Sequence, residues 1–401
     1  MSSKTETSAS LNSLPKIAAP LSARCRHFGT CGGCASQGVP YENELQAKIE
    51  SLQNSFKSIT GGPSRIHPSP DIWFYRNKME FSFGLDANSS LALGLKGKGK
   101  WYQVLNLEEC FLLSPEVPAL LKSVRDWAVQ NKVSVHDARS HLGLLRHLVV
   151  REAKNGKDRL VLLVTAPGII DEESFIRAVL NVYPATGILW GINDKISDTA
   201  IPDSQKVIYG SGWINEVSRV DGRELQFRVS PQSFFQSNTR GAEILHSYLR
   251  QKIRDISPKL ILDLYCGLGA ITLSVADLCQ KAIGLECVDS AVLDAVFNAG
   301  VNRISNVSFY SGLTEILLPA LLAMRPDLLI IDPPRSGIHP RALDILSAAQ
   351  VPAVLYVSCN PKTFARDLEA FLPRYDVRSF EAFDFFPHTP HVETACLLMR
   401  R

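Results

Sequence analysis

Long apolar runs are missing from this 401-residue chain: no stretch approaches about eighteen consecutive apolar residues, and no apolar segment follows the first residues as a secretory signal requires. Membrane insertion and export are therefore not expected. Charge of one sign is missing as well, with 43 Lys and Arg against 40 Asp and Glu, and the formal +3 permits nucleic-acid binding without requiring it. There is no internal repeat, and no Gly/Ser-rich or charged tract marks a linker, so domain boundaries must be read from changes of pattern. A disulfide framework is absent too. Nine cysteines are few for this length, and an odd number leaves at least one thiol free. A reducing cytoplasm is the expected compartment and a monomer the expected state.

What is present divides into four parts. Residues 1–23 are rich in Ser, Thr and Ala without an aromatic, and are expected to form a disordered tail. Residues 24–75 hold a Cys/Gly cluster, a predicted helix from Tyr41 to Phe56 and a Pro-rich turn from Gly61 to Pro70. Short alternating segments dominate residues 76–229, among them Met79 to Phe83, Leu91 to Leu95, His147 to Arg151 and Leu160 to Val164. With helices near Pro115 to Gln130 and Asp171 to Val182, this part is expected to be an α+β domain.

The rhythm changes over residues 230–401. After a helical stretch ending near Ile256, apolar strands at Leu260 to Leu264, Lys281 to Glu286, Val307 to Tyr310, Asp327 to Ile331 and Ala353 to Ser358 alternate with helical patterns. That alternation predicts an α/β fold, a doubly wound parallel sheet with helices on both faces. Arg378 to Phe386 and Val392 to Met399 follow with no helix between them, which predicts an antiparallel hairpin at one edge.

In such sheets ligands sit beyond the carboxyl ends of the strands. Asp263-Leu264-Tyr265-Cys266-Gly267-Leu268-Gly269 follows the first strand, and its glycines let the backbone approach a ligand closely. Thr272 stands where a dinucleotide-binding loop has its third glycine, and Asp263 repels a pyrophosphate while suiting the ammonium of an amino-acid moiety. S-adenosylmethionine fits better than a dinucleotide. Glu286, ending the second strand, is placed to accept hydrogen bonds from ribose hydroxyls.

Cys359 lies in Ser358-Cys359-Asn360-Pro361, where polar residues and a proline break a buried strand. A thiol delivered to that edge is a candidate nucleophile. Cys266, Cys279, Cys287 and Cys396 sit within or beside apolar elements and are expected to be small buried hydrophobes. Asp332-Pro333-Pro334 is similar to the turn with which amino-methyltransferases hold an exocyclic amine, but Arg335 replaces the stacking aromatic. The pairing with a strand-end cysteine suits methylation of a base carbon, because C5 of a pyrimidine is a poor nucleophile until it is activated covalently.

These residues resemble the RNA uracil-5-methyltransferases. The carriers are Ser230-Pro231-Gln232-Ser233-Phe234-Phe235-Gln236-Ser237-Asn238, the Asp263 to Gly269 turn, Asp332-Pro333-Pro334-Arg335-Ser336-Gly337, Ser358-Cys359-Asn360-Pro361 and His388-Thr389-Pro390-His391-Val392-Glu393. Tyr75-Arg76-Asn77-Lys78 is similar to the family's central-domain signature. The resemblance implies that Gln236, Tyr265, Glu286 and Asp332 contact S-adenosylmethionine, that Cys359 adds to C6 of uracil, and that Glu393 removes the C5 proton. Ala270 and Gly312-Leu313 depart from the pattern at positions that face the adenine in relatives.

Cys25, Cys31, Cys34 and the distant Cys110 make up a four-thiol set able to hold a tetrahedral zinc or a [4Fe-4S] cluster. Only one close pair exists, against zinc, and the first gap has five residues, against radical chemistry. His27 is expected to be a loop residue rather than a ligand. The resemblance implies [4Fe-4S], and with it a large-subunit, 23S-type ribosomal RNA substrate in preference to the tRNA T-loop, in a chain without the N-terminal TRAM barrel of some relatives. Lys96, Lys98 and Lys100, followed by Trp101 and Tyr102, are expected to form a basic hairpin suited to structured RNA. A catalytically silent RNA-binding factor on the same fold is the alternative; the presence of both Cys359 and Glu393 weighs against it.

Overall fold

Apolar runs long enough for one strand each, separated by amphipathic helices, build an eight-stranded sheet in the computed structural model, which describes residues 22–401 except Ala138, with nothing described of the Trp101 side chain. The tail expected over residues 1–23 lies outside the described residues but for its last two. The strand order is Ile66–His67, Tyr375–Phe383, Glu393–Arg400, Ala353–Ser358, Leu328–Ile331, Leu260–Leu264, Lys281–Glu286, Val307–Ser311. The five strands predicted from apolar runs pair in parallel. From Leu260–Leu264 the chain winds outward through Lys281–Glu286 and Val307–Ser311, then returns to the other side at Leu328–Ile331. The strand order therefore reverses between Leu260–Leu264 and Leu328–Ile331, and the place beyond Leu264 and Ile331 is where sheets of this kind hold a ligand.

The predicted antiparallel hairpin forms, with Glu393–Arg400 inserted between Ala353–Ser358 and Tyr375–Phe383. It is not the edge of the sheet. Ile66–His67 adds an eighth strand in parallel with Tyr375–Phe383, pairing Ile66 with Ala382, and two residues beside prolines give no strand pattern to read. The helix Tyr41–Phe56 arrives with it. Its buried stripe, Glu44, Lys48, Leu52 and Phe56, repeats every fourth residue. Phe56 is wholly buried against Phe364 and Phe380, with ring centroids 5.4 and 5.0 Å away, a burial that stabilises by about 2 kcal/mol.

The central α+β part is a seven-stranded sheet in the order Lys100–Asn106, Leu91–Gly97, Lys78–Leu85, Leu145–Glu152, Arg159–Thr165, Gly187–Ile192, Ser204–Gly210. Leu145–Glu152 is buried at every position, because the sheet is covered on both sides. Leu148 and Val150 face the helices Val117–Gln130 and Glu172–Leu180. Val149 faces the opposite way, into a core shared with the hairpin Ile214–Val220/Arg223–Val229 and with Leu268 and Leu273, which follow the strand Leu260–Leu264 of the eight-stranded sheet. Among the described residues no helix is long and apolar enough to cross a membrane.

Candidate active site

The turn after Leu260–Leu264 contains three left-handed residues, Tyr265 (φ 64°), Gly267 (φ 55°) and Gly269 (φ 85°). A side chain at Gly269 would meet the Phe309 ring at 3.1 Å, so that glycine is needed both for conformation and for space. Glu286 braces the turn: one carboxylate oxygen accepts from Gly267 N at 3.1 Å, the other from Cys287 N and Val288 N at 2.8 and 2.9 Å. Asp263 is fully buried, and Thr272 Oγ1 donates to its Oδ2 at 2.5 Å while Oδ1 has no partner. Thr272, noticed in the sequence only as a missing glycine, thus orients the aspartate.

Burial pushes Asp263 up to about 7, helped by neighbouring Asp332 and Glu286 and opposed by Thr272. Asp332, directly after Leu328–Ile331, is likewise pushed up to about 7 by burial, with the Gln236 side-chain hydrogen bond pulling the other way. Tyr265 Oη is buried near Thr314 and the His339 backbone but makes no hydrogen bond of good geometry. Orphaned polar atoms on Asp263 and Tyr265, together with a carboxylate at Glu286, are what a ligand with an ammonium and hydroxyls requires. S-adenosylmethionine fits that set.

The second half of the site comes from strand register. Ser358 pairs with Thr394 in the antiparallel ladder, and Thr394 Oγ1 donates to Ser358 O at 3.2 Å. Cys359 and Glu393, one step further in opposite directions, are therefore brought opposite each other. Asn360 caps the helix Pro361–Phe371 by accepting from Lys362 N, and its Nδ2 donates to Arg335 O at 2.8 Å. This ties the cysteine turn to the Asp-Pro-Pro-Arg turn.

The electrostatics follow from crowding. Burial pushes Cys359 up to about 12, Glu393 and Asp332 push in the same direction, and Arg335 opposes them. Glu393 is fully buried with Oε2 unpartnered, and burial holds its carboxyl well above the usual range, reinforced by Asp332 and relieved by Arg335. Burial thus favours the neutral forms of Cys359, Glu393 and Asp332, and Arg335 opposes it at the first two. A bound cation would favour the charged forms of all three groups.

Beside this edge lies a cavity of about 530 Å³ lined by Arg76, Lys78, Arg151, Ser233, Phe234 and His391 among others. Arg151 is buried, with Nη2 donating to the carbonyls of Pro231 and Ser233 and with Nε and Nη1 unpartnered. Its role escaped the sequence, where it is one charge in an apolar strand. Cys287 corrects another expectation: it is exposed, with Sγ 3.3 Å from Glu286 Oε1, because it stands one residue past the buried strand. Cys266 and Cys396 are buried as expected, and Cys279 is half-buried.

Cys25, Cys31, Cys34 and Cys110 are free thiols close enough that each of the first three adds to the upward shift of Cys110, which burial pushes to about 11. The loop is stitched to the basic hairpin by Gly32 N to Lys96 O (3.2 Å) and Lys98 N to Thr30 O (2.8 Å). His27 Nε2 accepts from Glu108 N at 3.0 Å, which occupies it in the loop, as expected. Four thiols at one corner match a cluster in donor type, although among the described residues no three His, Cys, Asp or Glu side chains are already arranged as metal ligands.

A family model described as tRNA (uracil-5-)-methyltransferase matches residues 195–401. An uncharacterized RNA methyltransferase of Caldanaerobacter subterraneus subsp. tengcongensis is 37% identical over 386 residues, covering 93% of this chain and 84% of the relative. One from Clostridium tetani is 37% identical over 391 residues, covering 95% and 84%. Among solved structures, the Pyrococcus abyssi tRNA (uracil-54, C5)-methyltransferase in complex with S-adenosyl-L-homocysteine superposes with a TM-score of 0.73 at 27% identity, covering 92% of this chain and 86% of that one.

Proposed function

The chain belongs to the tRNA (uracil-5-)-methyltransferase family, and from that premise we propose that it makes 5-methyluridine in a structured RNA through covalent addition of Cys359 to uracil C6. It is an S-adenosylmethionine-dependent RNA methyltransferase. The observation that carries the finer reading is the register that sets Cys359 opposite Glu393, with Asp332 and Arg335 acting on both.

In this reading the Cys359 thiolate adds to C6, and the displaced electron pair makes C5 nucleophilic. S-adenosylmethionine supplies the methyl group that C5 takes. Glu393 then accepts the C5 proton, the C–H pair re-forms the C5–C6 double bond, and the thiolate leaves. Gln236, Tyr265, Glu286 and Asp332 hold the methyl donor, while Arg335 tempers the negative charge around the thiol. The uridine has to leave any stack to reach Cys359, at a cost of a few kcal/mol.

The RNA approaches over the central domain, residues 76–229. The 530 Å³ cavity shares Gly32, Gly33, Glu80 and Leu95 with a second groove along Lys96, Lys98 and Lys100, so a continuous trough leads from the basic hairpin to His391, which touches Arg335. Cys25, Cys31, Cys34 and Cys110 hold a [4Fe-4S] cluster that fixes the 24–75 segment against this hairpin. Large-subunit ribosomal RNA is the proposed substrate, on the strength of that cysteine set. The tRNA T-loop is the second reading, favoured by the likeness to the Pyrococcus abyssi enzyme.

Incubation with 5-fluorouridine-substituted RNA is expected to give a covalent protein–RNA complex that is lost in Cys359→Ala; no adduct with any cellular RNA would sink the mechanism. Mapping 5-methyluridine in ribosomal and transfer RNA from cells lacking the protein separates the two substrates. Anaerobic purification should give brown protein with about four irons per chain, and colourless protein with stoichiometric zinc refutes the cluster.

A further inference from the structure

The loop from Asp384 to His391 delivers Glu393 to the site, and the segment before residue 76 grips it along most of its length. Lys48, itself buried, donates from Nζ to Asp384 Oδ1 at 2.8 Å and to Phe386 O at 3.2 Å, and pairs with Glu44 Oε1 at 2.8 Å. Tyr41 Oη donates to Asp384 Oδ2 at 2.9 Å, and Glu44 Oε1 accepts from His388 N at 2.8 Å. Tyr75 Oη donates to Pro387 O at 3.1 Å. Ala35 N, directly after Cys34, donates to His388 O at 2.7 Å. His388 itself holds a left-handed backbone (φ 65°) and stacks on Trp73 at 3.8 Å.

A non-glycine residue in that conformation persists only where its surroundings over-determine it. Here the surroundings are one ammonium and two carboxylates withdrawn from water, an arrangement that tolerates little displacement. Five residues after His388 the chain reaches Glu393. The ladder fixes the Glu393 backbone opposite Phe383, and the path of Asp384 to His388 sets the direction from which the chain enters that strand end, and with it the aim of the carboxylate.

We propose that Lys48 is a positioning residue for the elimination step: its buried contacts with Asp384, Phe386 and Glu44 hold the Asp384–His391 loop so that Glu393 can take the C5 proton. The proposal rests on the reading of Glu393 as the base. It separates two halves of the reaction, since Cys359 and the methyl-donor crevice are built on other strands. When Glu393 is misplaced, thiol addition and methyl transfer proceed. The C5–H bond then breaks slowly, the C6–S bond persists, and the enzyme stays joined to its methylated RNA.

The test uses full-length protein with unmodified substrate RNA and S-adenosylmethionine. Lys48→Met is expected to turn over at least tenfold more slowly, with little change in KM for S-adenosylmethionine, and to accumulate a denaturation-resistant protein–RNA complex. Tyr41→Phe, which removes one hydrogen bond to Asp384, should shift both readouts the same way by a smaller factor and serves if Lys48→Met folds poorly. Glu393→Gln is the control: it must accumulate the complex, and if it does not, the assignment of the base fails rather than that of Lys48. If Glu393→Gln accumulates the complex while folded Lys48→Met and Tyr41→Phe lose activity without it, or keep wild-type turnover, the positioning role is overturned.

Discussion

Arg335 Nη2 lies 3.1 Å from His391 Nδ1, and this contact joins the turn after Leu328–Ile331 to the turn that leads into Glu393. The same guanidinium lowers the pKa of both Cys359 and Glu393, against burial and Asp332, which raise them. Arg335 is thus the cation that offsets an acidic, desolvated edge. Arg335→Ala is expected to slow methyl transfer by about tenfold to a hundredfold, less than the hundredfold to thousandfold lost when a fully desolvated donor is removed, because Arg335 is itself exposed. Arg335→Lys should recover part of the rate, since it restores charge but not the planar fork. Single-turnover rates with saturating S-adenosylmethionine measure it.

Burial, with Glu393 and Asp332 beside it, pushes the Cys359 thiol up to about 12. A methyl donor with a sulfonium charge placed beside Asp332 should favour the thiolate. The apparent pKa of Cys359, taken from the thiolate ultraviolet absorbance of wild-type protein minus that of Cys359→Ala, is therefore expected to fall when S-adenosylmethionine binds. It should fall less with S-adenosylhomocysteine, which lacks the charge. Equal shifts with both ligands would show that the electrostatic coupling plays no part.

Strand periodicity made most of the catalytic sheet legible, because parallel strands buried on both faces leave contiguous apolar runs. Leu260–Leu264, Lys281–Glu286 and Ala353–Ser358 have the bounds the sequence predicts. Ile66–His67 was illegible because two residues carry no period. The strand Ser204–Gly210 was hidden for a different reason: it is mostly exposed and holds few apolar residues. The site was legible as motifs. Its cross-links, Thr272 to Asp263, Asn360 to Arg335 and Lys48 to Asp384, were not, since a polar side chain does not announce a partner distant in sequence.

Lys98 and Lys100 stand at the tip of the hairpin formed by Leu91–Gly97 and Lys100–Asn106, where Gly97 pairs with Lys100 and Gly99 is left-handed. Lys96 is already paired with Asp198 at 2.5 Å, so its neighbours are better placed to meet phosphates. Each lost phosphate contact lowers the slope of log K against log salt by about 0.7 to 0.9. Lys98→Gln with Lys100→Gln should therefore reduce the salt dependence of RNA binding by about 1.4 to 1.8 without changing affinity for S-adenosylmethionine. An unchanged slope would take the hairpin off the RNA path.

Asp263 couples the methyl-donor crevice to stability. Its folded-state pKa is raised, to about 7 from an ordinary 3.8, chiefly by burial, so the folded protein holds a proton that the unfolded chain releases. The stabilisation this gives is complete below the unfolded value and is lost as pH rises through about 7. Asp263→Asn has no such proton to lose and keeps an oxygen for Thr272. The mutant should therefore gain on wild type as pH is raised from 5 to 8, by on the order of 4 kcal/mol at most, in denaturant unfolding of ligand-free protein. Its affinity for S-adenosylmethionine should fall at the same time, because the amide cannot offer a negative charge to the ligand's ammonium. A mutant that tracks wild type across that range would mean that Asp263 is charged in the free protein and that its unpartnered oxygen is satisfied by solvent.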